Sequence, residues 1–469
     1  MNIIMLLKRL LRHEKMTGII CLYIISGILI WHIFAPVCAK ADEANTYYAG
    51  VEFWQNFNDE ILIDNLNKVY ENNHDLKAAV LKVNEAQRVV KMSFANELPH
   101  FTFQGYVGQI FNSSDEVFGS ITIPDYTETH FLLPITMNYE VDIWGKNHLR
   151  TKSKKKEFEM MLQDKRAAYI YISSVFVCDY YNLIRTDKLI EYQNELISLQ
   201  KQVISALKIR YDYGTATVEE INDAEKNLTF MKEDLEKLLE KQDVLKNQIS
   251  SLLSDQNFEN INRAGYDSLN INIPIPNEIS FDTLSKRPDR IKSELDLEKI
   301  GIDVKVARRD MLPSFIITGD IGFNLYNLAS SNNFLADIGV IPVWDIFTGG
   351  RKLQMLKLKK DDFELAREHY EKIILKSIQE SNDALYDLKM SESVNTISTD
   401  RLLTDEKQLR NVLIREDAGT ADNLDILMYK ERLLVSQKQA VSSFINRIIA
   451  AVNLYQALGG VDFTKAANL

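Results

Sequence analysis

The residue types that most often carry chemistry occur in this chain without a catalytic arrangement. The 7 histidines are scattered, and no two have the i, i+4 spacing that places metal ligands on one helix face. The chain contains no GxxxxGKS/T phosphate loop, no HExxH helix, no CxxC pair and no GxSxG elbow. We therefore predict a protein that catalyses no reaction and needs no cofactor or metal ion.

The charge balance is acidic, with 55 Lys and Arg residues against 66 Asp and Glu residues. A nucleic-acid-binding protein is expected to be basic, so this balance predicts no nucleic-acid partner. Only 9 prolines and 18 glycines occur in 469 residues. Because these residues are the main breakers of regular structure, long uninterrupted elements are expected.

Residues 1–41 are predicted to be a secretory signal peptide. A basic start precedes an apolar run over residues 18–37, and Ala39-Lys40-Ala41 offers a small-x-small cleavage site. The alternative is an uncleaved membrane anchor, because about 20 apolar residues can span a bilayer.

Cysteine usage is sparse, with Cys21, Cys38 and Cys178. Cleavage after Ala41 would leave Cys178 alone, which excludes an intrachain disulfide. Cys178 lies in a helical stretch and is expected to act as a small buried hydrophobe. Cys38 is a candidate lipid anchor, although residues 35–37 match poorly the small residues that precede a lipoprotein cysteine.

The rest of the chain repeats itself. Leu-Pro-x-Phe at 98–101 recurs at 312–315, an offset of 214 residues. Arg-x-x-x-Gly-Thr-Ala at 210–216 recurs at 415–421, an offset of 205 residues. Ordered matches whose offset drifts by nine residues indicate a duplication with a change in loop length. The predicted repeats cover residues 42–275 and 276–469.

Each repeat contains two strand candidates with period-two alternation. The predicted strands cover residues of about 100–112, 130–144, 314–326 and 334–346. In the second of them, Leu133 and Ile135 alternate with Thr136, Asn138 and Glu140. Alternation over about ten residues is typical of membrane barrel strands. It would also suit a soluble sheet with one solvated face.

A very long helical hairpin follows each strand pair, over residues 146–254 and 349–458. Residues 146–213 and 351–418 contain neither Gly nor Pro, so each predicts a helix of about 100 Å. Gly214 and Gly419 stand at the expected turns. Helical hairpins of this length predict a coiled coil or a helical tube.

Four strands are too few to close a membrane barrel, since the smallest such barrels have about eight strands. An open sheet edge is not tolerated in hydrocarbon, so several subunits would have to pool their strands. The alternative is an exported periplasmic coiled-coil scaffold or adaptor protein. An adaptor carries one helical hairpin, whereas this chain has two in tandem.

The order of signal, helix, Leu-Pro, strand pair and long hairpin, followed by its repetition, resembles the TolC-type outer-membrane efflux protein family. This family supplies the outer-membrane factor of tripartite efflux or type I secretion systems. The similarity covers almost the whole mature chain. Its motifs are the Leu-Pro-x-Phe pair, Asp345-Ile346-Phe347 with Gly349-Gly350-Arg351, the two Gly-Thr tips, and Ala457-Leu458-Gly459-Gly460.

The resemblance implies a mainly α fold with a β-barrel part. Three copies would form a 12-stranded barrel in the outer-membrane lipid, continued by a large periplasmic α-helical barrel. Such a homotrimer is a passive, non-catalytic exit duct. Its partners would be a periplasmic adaptor protein and an inner-membrane pump.

The family closes the periplasmic end of its duct with the hairpin tips of the second repeat. Asp425, six residues after Gly419, falls at the position of a gate carboxylate, and Glu220 is its counterpart in the first repeat. Three copies of Asp425 would favour cations. The alternative is that both are exposed acids at helix starts, where the helix dipole favours them.

This chain departs from the family's gate pattern at three positions. Met428 stands where a second gate carboxylate is expected, Ala421 where a basic residue is expected, and Glu416 where an aromatic residue is expected. We therefore expect different bonds at the gate, with Arg415 or Arg432 pairing with Glu416 or Asp425.

The resemblance also implies that the hairpin tips contact the adaptor. The residues concerned are Arg210, Gly214, Thr215, Arg415, Gly419 and Thr420. The alternative is a capped turn whose glycine only supplies a positive φ.

Overall fold

The computed structural model of the protein describes residues 51–112, 117–118, 121–122, 126–255, 261–326 and 331–464. The predicted signal peptide and Cys38 lie outside these residues. None of the described helices is both long enough and apolar enough to cross a membrane.

The last three helices of each repeat match in order and closely in length. The first repeat contains α1 (Val51–Gln55), α2 (Glu60–Asn72), α3 (His74–Ala95), α4 (Lys146–Asp212) and α5 (Val218–Leu253). The second contains α6 (Phe281–Ser285), α7 (Pro288–Arg309), α8 (Arg351–Asp417) and α9 (Asn423–Ala457). Helices α4 and α8 each have 67 residues, and α3 and α7 each have 22.

Glycine begins both long helices. Gly145 and Gly350 are the N-cap residues of α4 and α8, with φ of 66° and 84°. A left-handed backbone is cheap only for glycine, so it allows the chain to turn sharply from strand to helix. In the first turn of α4, the backbone amide of His148 donates to Asp142 Oδ2 at 2.8 Å, which stabilises the turn between strand and helix.

One antiparallel sheet collects the long strands of both repeats. It contains β1 (His100–Phe103), β2 (Tyr106–Asn112), β5 (Tyr126–Val141), β6 (Ser314–Tyr326) and β7 (Ser331–Val343). Strands β1 and β2 both pair with β5 in one register, and β6 and β7 follow in order. The short strands β3 (Val117–Phe118) and β4 (Ile121–Thr122) pair separately.

The strand bounds differ from the sequence prediction at three of the four predicted strands. The strand predicted over 130–144 is β5, which ends at Val141 because the backbone turns at Asp142. The strand predicted over 334–346 is β7, which ends at Val343. The strand predicted over 100–112 is broken at residues 104–105, opposite Pro134 of β5, which has no N–H to donate.

Pro134 also explains a glycine on the other side of β5. Gly322 of β6 is its cross-strand partner, and a Cβ added at Gly322 would lie 2.8 Å from Pro134 Cα. The two backbones therefore approach each other at a point where no larger residue fits without a shift.

The two faces of the sheet differ in character. Cross-strand neighbours share a face, and one row consists of Leu133, Phe323 and Phe334. We call this the apolar face. The opposite face carries a row in which Thr136, Asp320 and Asp337 are neighbours, and we call it the polar face, although Ile316 and Ile341 interrupt it.

An aromatic cluster joins the two ends of the described chain. Phe53 stacks on Tyr455 with ring centroids 4.4 Å apart, and Phe463 lies 5.3 Å from Phe53. The Asn56 amide donates to Thr464 Oγ1 at 3.2 Å. All three rings are almost fully buried, so the segment before α2 is part of the core.

Equivalent contacts connect the helices within each repeat. The Asn73 side chain, which caps α3, donates to Leu252 O at 3.0 Å at the end of α5. Arg287, at the N-cap of α7, donates to Ala457 O at 2.6 Å at the end of α9. The duplication therefore preserves the contact while the donor differs.

We expect Gly322→Ala to destabilise the sheet by about 1–3 kcal/mol, because the new Cβ would overlap the β5 backbone. Thermal unfolding of the detergent-solubilised protein measures the effect. The matched control is Gly339→Ala, since the nearest atom to its Cβ would be Thr318 Oγ1 at 3.7 Å. Equal melting temperatures for both variants would contradict the close approach of the strands.

Asp179 of α4 gives the fold a pH dependence. Burial raises the pKa of its carboxyl to about 6. The folded chain therefore binds more protons than the unfolded chain between about pH 4 and pH 6, and its stability falls as pH rises through that window. Asp179→Asn is expected to raise the melting temperature above about pH 6 and to leave it unchanged below about pH 4. A difference independent of pH would contradict this assignment.

Candidate functional site

The tips of the two hairpins have the same backbone geometry. Gly214 and Gly419 both have a φ of 69°. The amide of Thr215 donates to Arg210 O at 2.8 Å, and the amide of Thr420 donates to Arg415 O at 2.7 Å. These bonds close the last turn of each outgoing helix, and the left-handed conformation favours glycine after it.

The threonine side chains repeat the same contact. Thr215 Oγ1 donates to Arg210 O, and Thr420 Oγ1 donates to Arg415 O, both at 3.0 Å. Both glycines and both threonines are exposed. The structure therefore brings the predicted tip residues together in two matching turns.

The two candidate gate carboxylates occupy equivalent positions in these turns. Glu220 accepts a bond from the Thr217 amide at 2.8 Å, and Asp425 accepts one from the Asp422 amide at 3.3 Å. The Glu220 amide in turn donates to Thr217 Oγ1 at 3.2 Å. Within one chain, both acids therefore cap the start of a returning helix. Both side chains are also exposed at the tip.

The arginines near the second tip do not make the expected pairs. Arg415 Nη2 donates to Thr420 O at 3.2 Å within its own turn. Arg432 Nε lies 3.0 Å from Asp405 Oδ1, and Ser436 Oγ donates to Asp405 Oδ2. Within one chain these arginines therefore have other partners, and their pairing with Glu416 or Asp425 in an assembled gate stays a prediction. Asp405 is only 3% exposed, and a buried carboxylate needs such partners.

Asp405 and its partners were missed by the sequence analysis, although the repeat offset contains a hint. Residues 205 positions earlier are Gln200 and Asn227, which are neutral, so the first hairpin has no charged pair at the equivalent position. In the first hairpin, Gln200 Nε2 donates to Ala224 O at 2.8 Å instead.

An ion pair crosses from the first tip to the second. Arg210 Nη2 contacts Asp422 Oδ2, and Asp422 is the N-cap residue of α9. Two residues after Asp422, Leu424 of α9 packs against a cluster formed by Ile204, Leu207 and Ala224. The two hairpins of one chain are therefore held together at their tips by apolar packing and by one ion pair.

Cys178 was expected to be buried, and the structure places it between buried and exposed. It is a free thiol, half-buried on α4. Burial raises its pKa to about 12, so the thiol stays protonated near neutral pH.

The ion pair predicts a measurable coupling between the tips. Arg210→Ala and Asp422→Ala should show a coupling energy of about 0.2–1 kcal/mol in a double-mutant cycle, because both side chains remain partly exposed. Denaturant unfolding at low salt measures it. The matched cycle of Arg415→Ala with Asp422→Ala should show no coupling, since Arg415 bonds within its own turn. Equal coupling in both cycles would contradict the assignment.

Comparison with known proteins agrees with this architecture. The cation efflux system protein CusC of Escherichia coli O157:H7 is 22% identical over 418 residues, which are 84% of this chain and 85% of that protein. The pyoverdine export outer membrane protein OpmQ of Pseudomonas aeruginosa is 23% identical over 422 residues, covering 87% of each chain.

The fold is also that of solved outer-membrane channels. The crystal structure of the Campylobacter jejuni CmeC outer membrane channel matches with a TM-score of 0.78 at 22% identity, covering 87% of this chain and 88% of that chain. The family model described as outer membrane efflux protein matches residues 65–254 and 281–460. The chain therefore belongs to the outer membrane efflux protein family.

Proposed function

We propose that the chain is the subunit of a homotrimeric outer-membrane channel, which serves as the passive exit duct of a tripartite efflux or secretion system. The observation that carries the proposal is a sheet with an exposed apolar face and two open edges. Phe103, Ile338 and Val340 are each more than 60% exposed on strands of this sheet. Apolar side chains exposed on neighbouring strands are expected of a sheet that faces lipid.

The open edges support assembly. Strands β1 and β2 form one edge, and β7 forms the other. In a bilayer the unpaired N–H and C=O groups of both edges would need partners. Pairing β7 of one copy with β1 and β2 of the next would satisfy them, and the proposed ring has three copies and 12 strands, as the family resemblance implies.

The helices would continue this ring into the periplasm. At one end of the sheet, the strands connect through short segments to α3, α4, α7 and α8. Helix α3 packs on α4, α4 on α7, and α7 on α8. A closed sheet would therefore force these helices into a cylinder. Since α4 and α8 would each be about 100 Å long, the cylinder is long enough to serve as a duct.

The relatives support export and differ in cargo. CusC is named for cation efflux, OpmQ for pyoverdine export, and ArpC of Pseudomonas putida for antibiotic efflux. A periplasmic adaptor and an inner-membrane pump are therefore the proposed partners of this chain. The alternative of a soluble scaffold is disfavoured, because such a protein would not expose one whole face of apolar side chains.

Asp425 is the proposed gate residue at the periplasmic end, and the two tips are the proposed adaptor contacts. Three Asp425 carboxylates around the axis would attract cations and repel anions. Glu220 is its equivalent in the first hairpin, with the same capping role.

Conductance in a planar bilayer tests both parts of the proposal. The wild type should give small, cation-selective conductance steps. Asp425→Ala should give larger steps with weaker cation selectivity, because the ring of three carboxylates that attracts cations and repels anions is removed. Thr217→Ala is the matched control, since it removes a helix cap at the other tip without removing a carboxylate.

The outcomes separate the duct from its gate. Steps that are unchanged in Asp425→Ala would retain the duct and remove Asp425 from the gate. Equal effects of both substitutions would assign the change to lost capping. If a folded, oligomeric sample produced no channels, the duct itself would be rejected in favour of the scaffold.

A further inference from the structure

A groove of about 860 Å³ lies between α4, α7 and α8, close to the sheet. Its apolar lining comes from Leu297, Ile302, Val304 and Phe363. The ring of Phe363 lies over Gly301, where an added Cβ would be 3.4 Å from Phe363 Cε2. The glycine therefore helps to keep the floor of the groove open and apolar.

The rim of the groove carries an excess of positive charge. Four cations are exposed and make no ion pair within the part of the chain that the structure describes: Lys152, Lys305, Arg308 and Lys360. A fifth, Lys156, is held by Glu298 at 2.7 Å and Glu159 at 2.9 Å.

Three acids also line the groove, and two of them are paired. Glu298 bonds to Lys156, and Glu364 lies 2.9 Å from Arg367. Asp361 is the third. The four exposed cations outnumber this one remaining acid, so the groove is complementary to an anion. We call it the basic groove.

The basic groove opens on the side of the apolar face. Lys146 Nζ lies 2.8 Å from Glu140 of β5, which shares the polar face with Thr136. Arg150 lies one turn further on, and its Nη2 is 3.4 Å from Asp310. Lys152 follows Arg150 by two residues, or about 200° of helix rotation, so it projects from the opposite side of α4.

The distance of the basic groove from the sheet is similar to the thickness of the headgroup layer of a bilayer. Lys152 lies six residues into α4, or about 9 Å along the helix, and Arg308 is the penultimate residue of α7. The headgroup layer adds roughly 5–8 Å on each side of the hydrocarbon core. Long basic side chains can extend along an apolar surface to reach that layer.

We propose that the basic groove binds an anionic phospholipid of the surrounding membrane. The four exposed cations hold the headgroup phosphate, and an acyl chain lies along the apolar floor. The apolar floor selects an amphiphile over a free anion, and the charge excess selects an anionic lipid over a zwitterionic one. This inference rests on the proposed function, because it requires the apolar face of the sheet to lie in a bilayer.

Lipid titration of the full chain in detergent tests the proposal. Phosphatidylglycerol and phosphatidylcholine with the same acyl chains are added, and bound lipid is counted by native mass spectrometry. The groove variant combines Lys152→Gln, Lys305→Gln, Arg308→Gln and Lys360→Gln. The matched control removes three exposed lysines and one exposed arginine on the hairpins: Lys201→Gln, Lys232→Gln, Lys407→Gln and Arg410→Gln.

The wild type and the control should prefer phosphatidylglycerol. The groove variant should lose affinity for it by about fivefold for each cation removed near the surface, with no change for phosphatidylcholine. Inorganic phosphate should not displace the bound lipid. Circular dichroism and thermal unfolding check that the groove variant is folded.

Three results would overturn the proposal. The first is that the wild type binds both lipids equally. The second is that the groove variant retains the preference for phosphatidylglycerol. The third is that inorganic phosphate displaces the bound lipid as well as phosphatidylglycerol does. Bilayer conductance of the same samples separates this failure from that of the duct. Channels without a lipid preference reject only the lipid site, whereas a wild type without channels rejects the duct on which it rests.

Discussion

The unpaired edges of the sheet set the requirement that the rest of the molecule must meet. An unsatisfied backbone N–H or C=O group costs several kcal/mol in hydrocarbon, and β7 alone presents an edge of 13 residues. Within the residues that the structure describes, no further strand pairs with either edge, and β1 with β2 lies at the opposite side of the sheet from β7. A sheet of this kind is stable in a membrane only when copies join edge to edge.

The duplication makes such joining compatible with long helices. Because α4 and α8 have the same length of 67 residues, the turns at Gly214 and Gly419 follow their strands at matching distances along the helices. The nine-residue difference between the repeats lies between β1 and α4, and thus outside the helical hairpins. An insertion there lengthens a loop, whereas an insertion in a hairpin would move one tip away from the other.

Sequence patterns predicted those features that depend on local chemistry. A run without Gly or Pro predicted the helix over 146–213, and the structure has α4 at Lys146–Asp212. The strand break at residues 104–105 could not be predicted, because it depends on Pro134 of the partner strand. The ion pair of Arg210 with Asp422 joins different hairpins, so spacing along one helix cannot reveal it.

The two tips share their backbone but differ in charge, and this difference bears on the gate. At the first tip the N-cap is the neutral Thr217, whereas at the second it is Asp422, whose charge is balanced by Arg210 of the other hairpin. Arg415, the equivalent of Arg210, is held by Thr420 O in its own turn. Among the described residues, Asp425 therefore has no cationic partner within its own chain. In the proposed homotrimer, a carboxylate without a cationic partner in its own chain would be available to cations passing along the axis, as a cation-selective constriction requires.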